Sequence, residues 1–318
     1  MVASKTTDIG ERKHKYKISL AWRDTIQLSF LTIPVIIWFI IFAYIPMFGC
    51  VIAFKNFDYR AGIWGSEWCG LDNFNYLFAS NDAARILKNT VFYNIVFITL
   101  NMVIGITVAL LLERVTRRYL IKTYQTMMFL PYFISWVVVA FIAQGIFKYD
   151  NGMMNNLLMK MGSKPLQWYT ETGSWPWVLI FANTWKTVGF NTLLYYGSLL
   201  GIDTTLYEAA AIDGANTWQR IYKISIPMLK PTIIVLFIMG IGNIFRADFG
   251  LFYYVPNNSG ALYKVTDVID TYIFRALKGS GDISGSSAAS FFQSVCGFIL
   301  VLIANGTVRK LDSENAMF

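Results

Sequence analysis

Long runs of apolar residues, separated by short stretches where the charges collect, set the layout of this chain. At 1.5 Å of rise per residue, a helix needs about 20 apolar residues to cross about 30 Å of hydrocarbon. Six stretches are long enough, over roughly residues 28–54, 90–112, 125–147, 178–200, 231–254 and 286–308. The first carries no charged side chain from Leu28 to Phe54 and is almost purely aliphatic and aromatic from Ile33 to Ile45. It is too long, and starts too late after a polar leader of residues 1–26, for a cleaved signal peptide. The pattern predicts a retained helix, and an all-α integral membrane fold with six transmembrane helices.

Composition agrees with lipid as the solvent. Apolar residues are 55% of the chain and charged residues 14%, against about 45–50% and about 25% in soluble domains. Lys and Arg then orient the spans. With the N-terminus inside, segments 1–26, 113–124, 201–230 and 309–318 hold 15 of them and the outside segments 10, while each side holds nine Asp and Glu. Both termini are therefore predicted to be cytoplasmic. The net charge of +8 is concentrated where membrane topology requires it, so it calls for no nucleic-acid partner.

The layout is a leader (1–26), a six-helix membrane domain (27–308) and a tail (309–318). The leader's Arg12, Lys13, Lys15, Lys17 and Arg23 fit a solvated segment or a short helix against the anionic inner leaflet. Trp64 and Trp68, in the loop after the first span, suit an interfacial belt of lipid headgroups. Arg114, Arg117, Arg118 and Lys122 form a short basic hairpin between spans two and three. The outside segments 148–177 and 255–285 are polar and too short for folded domains; they can dock a partner or cap a pore. Cys50, Cys69 and Cys296 are widely spaced without a CxxC and read as packing residues. The only histidine, His14, lies in the leader, which excludes imidazole catalysis and a His-rich metal site. No catalytic residue, metal or cofactor is expected.

Between spans four and five, residues 208–231 read as two short helices with a break. Thr204 or Thr205 can cap the first, which stops at Asp213-Gly214, where glycine tolerates the left-handed conformation. The second begins near Thr217 and is expected to end before Pro227, because the residue ahead of a proline resists helix. The product is a projecting helix–turn–helix knob, within the loop 201–230.

This segment resembles the EAA loop of ABC importer permeases of the MetI-like type I group. Their pattern is Glu-Ala-Ala, three residues, Gly, nine residues, Ile, one residue, Leu-Pro. Glu208, Ala209, Ala210, Gly214, Ile224 and Pro227 stand at those spacings, with Ile226 in place of Leu. A second stretch, Trp68-Cys69-Gly70-Leu71-Asp72-Asn73-Phe74, resembles the carbohydrate and polysaccharide-fragment subgroup. The resemblance implies that Glu208, Ala209, Ala210, Asp213, Gly214, Ile224 and Pro227 couple the chain to a separate ABC ATPase dimer. It also implies a second, related permease subunit, an extracytoplasmic solute-binding protein, a sugar substrate and a bacterial inner membrane. The absence of a Gly-x-x-x-x-Gly-Lys-Ser/Thr loop fits a chain that does not itself hydrolyse ATP. A permease for a non-sugar solute and a secondary transporter are the alternatives; the second leaves the EAA loop unexplained and lacks an internal repeat.

Charges within spans are costly and usually face a cavity. Lys186, Arg246 and Asp248 share the outer half of spans four and five. One reading has the two cations snorkelling to headgroups or pairing with Asp248. The other has a pore lined by these charges with Asn183, Asn191 and Asn243, flanked by Trp136, Trp185, Tyr195 and Phe245. Two pore-facing cations would favour an acidic sugar such as a uronate. Arg246 and Asp248, two apart, cannot share a face of a regular helix, so they need a distortion near Gly250 or separate partners.

Overall fold

The computed structural model describes residues 25, 28–79, 82–313 and 316–317. The basic leader and His14 lie outside the described residues. The first predicted span is helix α1 (Leu28–Phe54), which opens into a π turn at Ile40–Tyr44 and tightens to 3₁₀ pitch from Phe48. Its large side chains are exposed along most of its length. After it, Lys55–Asn56 (β1) pairs antiparallel with Glu67–Trp68 (β2), Lys55 opposite Trp68. Helix α2 (Asp72–Ala79) follows, and the Asn73 amide donates to the Ala53 and Lys55 carbonyls at 2.9 and 3.0 Å. The Trp68–Phe74 stretch thus fastens the end of α1.

Helices α3 (Ala83–Glu113), α4 (Arg118–Phe133), α5 (Trp136–Phe147), α6 (Met153–Lys160) and α7 (Trp175–Leu200) come next. Then follow α8 (Thr204–Ile212), α9 (Thr217–Gly242), α10 (Phe249–Tyr254), α11 (Ile269–Arg275) and α12 (Ile283–Leu311). Among the described residues α1, α3, α9 and α12 are long and apolar enough to cross a membrane, and α4 with α5, bent by 94°, makes a fifth if counted as one broken span. The predicted span 178–200 is α7, 26 residues long, which buries Trp175 and Leu179 along with Asn183 and Lys186.

Packing centres on α3 against α7, with two apolar clusters. One joins Tyr93, Phe97, Val139, Trp175, Leu179 and Phe252; the other joins Ala109, Leu112, Tyr195, Leu199 and Leu229 near the 201–230 loop. Helix α4 lies so close to α7 that a Cβ on Gly189 would stand 1.9 Å from the Met128 carbonyl oxygen. Only glycine fits that crossing.

Three expectations are corrected. Span three is not one helix: it breaks at Ile134 and restarts with Ser135, whose hydroxyl accepts from the Val138 N–H. Span five does not run to residue 254: α9 ends at Gly242 and α10 begins after an irregular stretch, 243–248. The helix that starts at Thr217 does not end before Pro227 but runs on to Gly242. A π turn at Ile221–Ser225 explains the third. The Ile226 N–H reaches back five residues to the Ile221 carbonyl, so the register widens just before the residue that lacks an N–H and would clash in a regular turn. Pro46 follows the π turn of α1 in the same way. The segments 148–177 and 255–285 also carry more structure than loops: the fully buried Asn155 binds the Tyr149 and Leu166 carbonyls, the Leu166 N–H and the Trp168 indole.

Candidate functional site

The knob is built almost wholly from local hydrogen bonds. Asp203, not Thr204 or Thr205, caps α8 by accepting from the Thr205 N–H at 2.9 Å. That N–H holds the exposed carboxyl below the usual carboxylate range. At the other end the Ala215 N–H bonds to the Ala210 carbonyl and the Gly214 N–H to Ala211, with Gly214 at φ +74°. This is the double closure of a helix on a left-handed glycine. Asn216 and Gln219 then cap α9 reciprocally, at 2.9 and 2.7 Å. Two ties bind the halves: Tyr207 Oη with Ser225 Oγ at 2.9 Å, and Arg220 Nε to the Ala215 carbonyl at 3.0 Å. Burial raises the Tyr207 pKa.

Outward the knob presents apolar surface beside charge. Ile212, Trp218 and Tyr222 are 87%, 67% and 65% exposed, and Glu208, Ala209, Asp213, Gly214 and Pro227 are exposed with them, while Ala210 and Ile224 are half-buried. Large apolar side chains left exposed together on a rigid turn mark a surface made to be covered.

A cavity of about 250 Å³ opens between α3, α7 and α9, lined by Asn94, Asn101, Asn183, Thr187, Asn191, Tyr195 and Asp248 among others. Asn183, Asn191, Tyr195 and Asp248 were expected at such a site. Asn94, Asn101 and Thr187 were missed, though their spacing holds the signal: 94 and 101 are seven apart, and 183, 187 and 191 are four apart, each set on one helical face. The Thr187 hydroxyl sits 2.9 Å from Asn101 Oδ1 and donates to the Asn183 carbonyl at 2.8 Å. Amides and hydroxyls that both donate and accept suit ligand hydroxyl groups.

The other predicted pathway residues stand elsewhere. Lys186 is enclosed, at 9% exposure, rather than extended toward a helix end. Its ammonium donates to the carbonyls of Pro131, Tyr132 and Ile134 at the break after α4, of which Pro131 also accepts from the Ile134 N–H. A cation at a helix C-terminus also meets the negative end of the dipole. Trp136, which starts α5, lies with its ring 5.3 Å from that ammonium and donates from Nε1 to Asp248 Oδ2 at 2.6 Å. Asp248 Oδ1 accepts from the Gly250 and Leu251 N–H groups and so caps α10. One indole thus joins the two helix breaks. The second break, 243–248, is held by side chains from three elements: Asn94 donates to the Ile244 and Arg246 carbonyls, Gln293 to the Phe245 carbonyl, and Asp270 accepts from the Ala247 N–H. Burial raises the Asp270 pKa. Arg246 and Asp248 have separate partners, since Arg246 donates to Ser294 Oγ at 3.0 Å. Asn243 donates to its own helix at the Met239 carbonyl, and Phe245 packs edge-on to Phe292. Trp185 lines a different, apolar recess with Trp168 and Trp177.

Irregular backbone at the depth of a membrane is tolerated where protein or a cavity satisfies it, and this centre is arranged in that way. Residues 101–313 match the model of the binding-protein-dependent transport system inner membrane component. The chain belongs to this family. The permease is 33% identical over 287 residues to protein LplB of Bacillus subtilis, covering 90% of each chain. It is 32% identical over 304 residues to the polygalacturonan/rhamnogalacturonan transport system permease protein YteP of the same organism, covering 96% of this chain and 94% of that one. Among solved structures it resembles a chain of a bacterial alginate ABC transporter in complex with an alginate pentasaccharide-bound periplasmic protein. The TM-score is 0.80 at 32% identity, over 91% of this chain and 96% of the other.

Proposed function

We propose that this permease is the membrane-spanning subunit of an ATP-driven bacterial importer for acidic saccharides. Family membership carries the transport role. The substrate class rests on the relatives for polygalacturonan and alginate and on an amide-lined cavity suited to hydroxyl groups. Lys186 has its donors engaged by carbonyls, so the cation left to meet a carboxylate is exposed Arg246. In this reading Asn101, Asn183 and Asn191 take hydroxyls, Asn94 and Thr187 accept from them through their oxygens because their own donors are engaged, and Tyr195 and Asp248 border them.

The topology consistent with the charge bias has six spans in the inner membrane, α4–α5 as a broken one, with both termini and the knob cytoplasmic. The knob then seats on an ABC ATPase, and ATP-driven closure of the ATPase dimer moves α7 and α9 through it. A second permease completes the pathway and a binding protein delivers the sugar. The exposed Ile212, Trp218 and Tyr222 beside Glu208 support this reading, because they give the ATPase an apolar contact and a charge to read.

The test is reconstitution with the cognate ATPase, second permease and binding protein. ATPase stimulation by loaded binding protein, with uptake of oligogalacturonide or alginate oligomers, is the expected result. A chain that assembles with no ATPase subunit would overturn the coupling assignment. Glu208→Gln separates charge from shape: assembly should become less salt-sensitive in the mutant, and equal salt sensitivity would remove Glu208 as an ionic contact.

A further inference from the structure

Resting on the saccharide reading above, we propose a second sugar subsite in the recess between α5 and α10, which reads ring faces and hydroxyls of the unit beyond the one in the amide cavity. The recess holds about 330 Å³ and is lined by Phe141 and Gln144 of α5, beside Val137 and Ala140, by Tyr253 and Tyr254 of α10, and by Asn257 and Asn258 of the following turn. None of its lining residues is charged. Its chemistry is aromatic faces beside carboxamides. Aromatic rings pack on the apolar C–H face of a pyranose, and a carboxamide can donate to one hydroxyl while accepting from its neighbour. A lipid-facing recess would not need three amides, which are costly to leave unpaired in hydrocarbon. The recess around Trp168, Trp177 and Trp185, apolar but for Ser174, shows that contrast within the same molecule.

The amides are held in place. Asn257 and Asn258 both have positive φ, +54° and +45°, a conformation uncommon outside glycine. The turn is pinned by the Asn257 N–H to the Tyr254 carbonyl and the Asn258 N–H to the Tyr253 carbonyl, each at 2.9 Å. Tyr263 Oη donates to Asn258 Oδ1 at 3.0 Å, which fixes that amide with its NH₂ turned away from the tyrosine. Tyr253 stacks on Phe249 at 4.8 Å, and Tyr254 is 38% exposed at the rim.

Position links the recess to the transport cavity. Asp248 lines the cavity and caps α10, and Tyr253 and Tyr254 end α10 at the recess. The six residues of α10 rise about 9 Å, so a saccharide of two or more units can touch both places at once. The Trp136–Asp248 hydrogen bond ties the start of α5 to the start of α10, the two helices that form the recess. The subsite would therefore favour longer chains over single sugars.

The experiment uses the assembled permease–ATPase complex in nanodiscs without binding protein, and measures binding of galacturonate, trigalacturonate and maltotriose by saturation-transfer NMR. Gln144→Met removes an amide at nearly constant length, and Asn257→Gly keeps the positive φ. Each should weaken trigalacturonate binding about tenfold, the effect of one or two lost hydrogen bonds, and leave galacturonate binding and complex assembly unchanged. Unchanged trisaccharide binding, or an equal loss for both lengths, would overturn the subsite. So would failure of both variants to assemble, because the face would then be a subunit interface. If the wild-type complex binds none of the three sugars, the saccharide reading falls and the subsite with it.

Discussion

In the knob, each helix end is closed by its immediate neighbours: Asp203 serves Thr205, Ala215 reaches back to Ala210, and Asn216 and Gln219 serve each other. At the broken centre the partners are remote. Lys186 reaches carbonyls 52 to 55 residues away, Trp136 meets Asp248 112 residues away, and Asn94 meets the second break 150 and 152 residues away. The difference follows from solvent. A helix end in water needs only a modest local cap, because water serves what the cap misses. One inside a membrane protein must have every freed backbone group met by protein or by a water-filled cavity. Hence the knob keeps its shape with few ties to the body and can act as a rigid element, whereas the centre holds its bends only while distant elements stay in register.

That contrast predicts where mutations act. The largest effect should come from Lys186→Met, which leaves carbonyls of the α4 terminus unpaired at about 1–3 kcal/mol each. We expect a lower unfolding temperature and poor assembly of the purified protein. Trp136→Phe, which loses one bond to a carboxylate worth about 1.5–3 kcal/mol, should lie below it. A stable, assembled Lys186→Met protein would mean that the break needs no remote cap. Next comes Gly214→Val, where a Cβ in the left-handed conformation adds strain of about 1–2 kcal/mol. Insertion and thermal stability should be nearly unchanged while uptake is lost and ATPase activity becomes independent of binding protein. Global unfolding of that variant would show that the knob is not the autonomous unit its local bonds suggest.

The smallest effect concerns Asp203. Its folded pKa is depressed by the Thr205 N–H, so its contribution to α8 is present above the unfolded carboxyl value, about 3.9, and is lost as pH falls through the folded value. Carboxyl NMR shifts should therefore titrate below that of a free aspartate. Asp203→Asn should cap α8 without this pH dependence. A normal titration in the wild type would remove Asp203 as the cap.

The knob was legible because its signals are short-range. Glu208-Ala209-Ala210, Gly214 and the helix start near Thr217 lie within a dozen residues, and the left-handed glycine follows from the conformational cost to any other side chain. Only the identity of the first cap and the passage through Pro227 were misread. The first was a choice among adjacent polar residues. The second depended on a π turn, which leaves no mark in residue pattern.

Apolar run length determined that the chain is helical and made for lipid, and roughly where each long helix lies, because crossing hydrocarbon is a constraint on consecutive residues. The 94° break in span three and the end of α9 at Gly242 were decided by tertiary structure. Ser135 and Asp248 are ordinary cap residues that become caps only when Lys186, Trp136, Asn94, Gln293 and Asp270 arrive from other helices to satisfy the backbone left open. The same is true of the cavity. The sequence placed asparagines on α3 and α7, but which of them share a space depended on the α3–α7 packing and on how closely α4 approaches α7 at Gly189. Charge followed that logic too: Lys186 reads in sequence as a cation in search of an anion, and folding gave it three carbonyls instead, because a broken helix end nearby offered them at its negative pole.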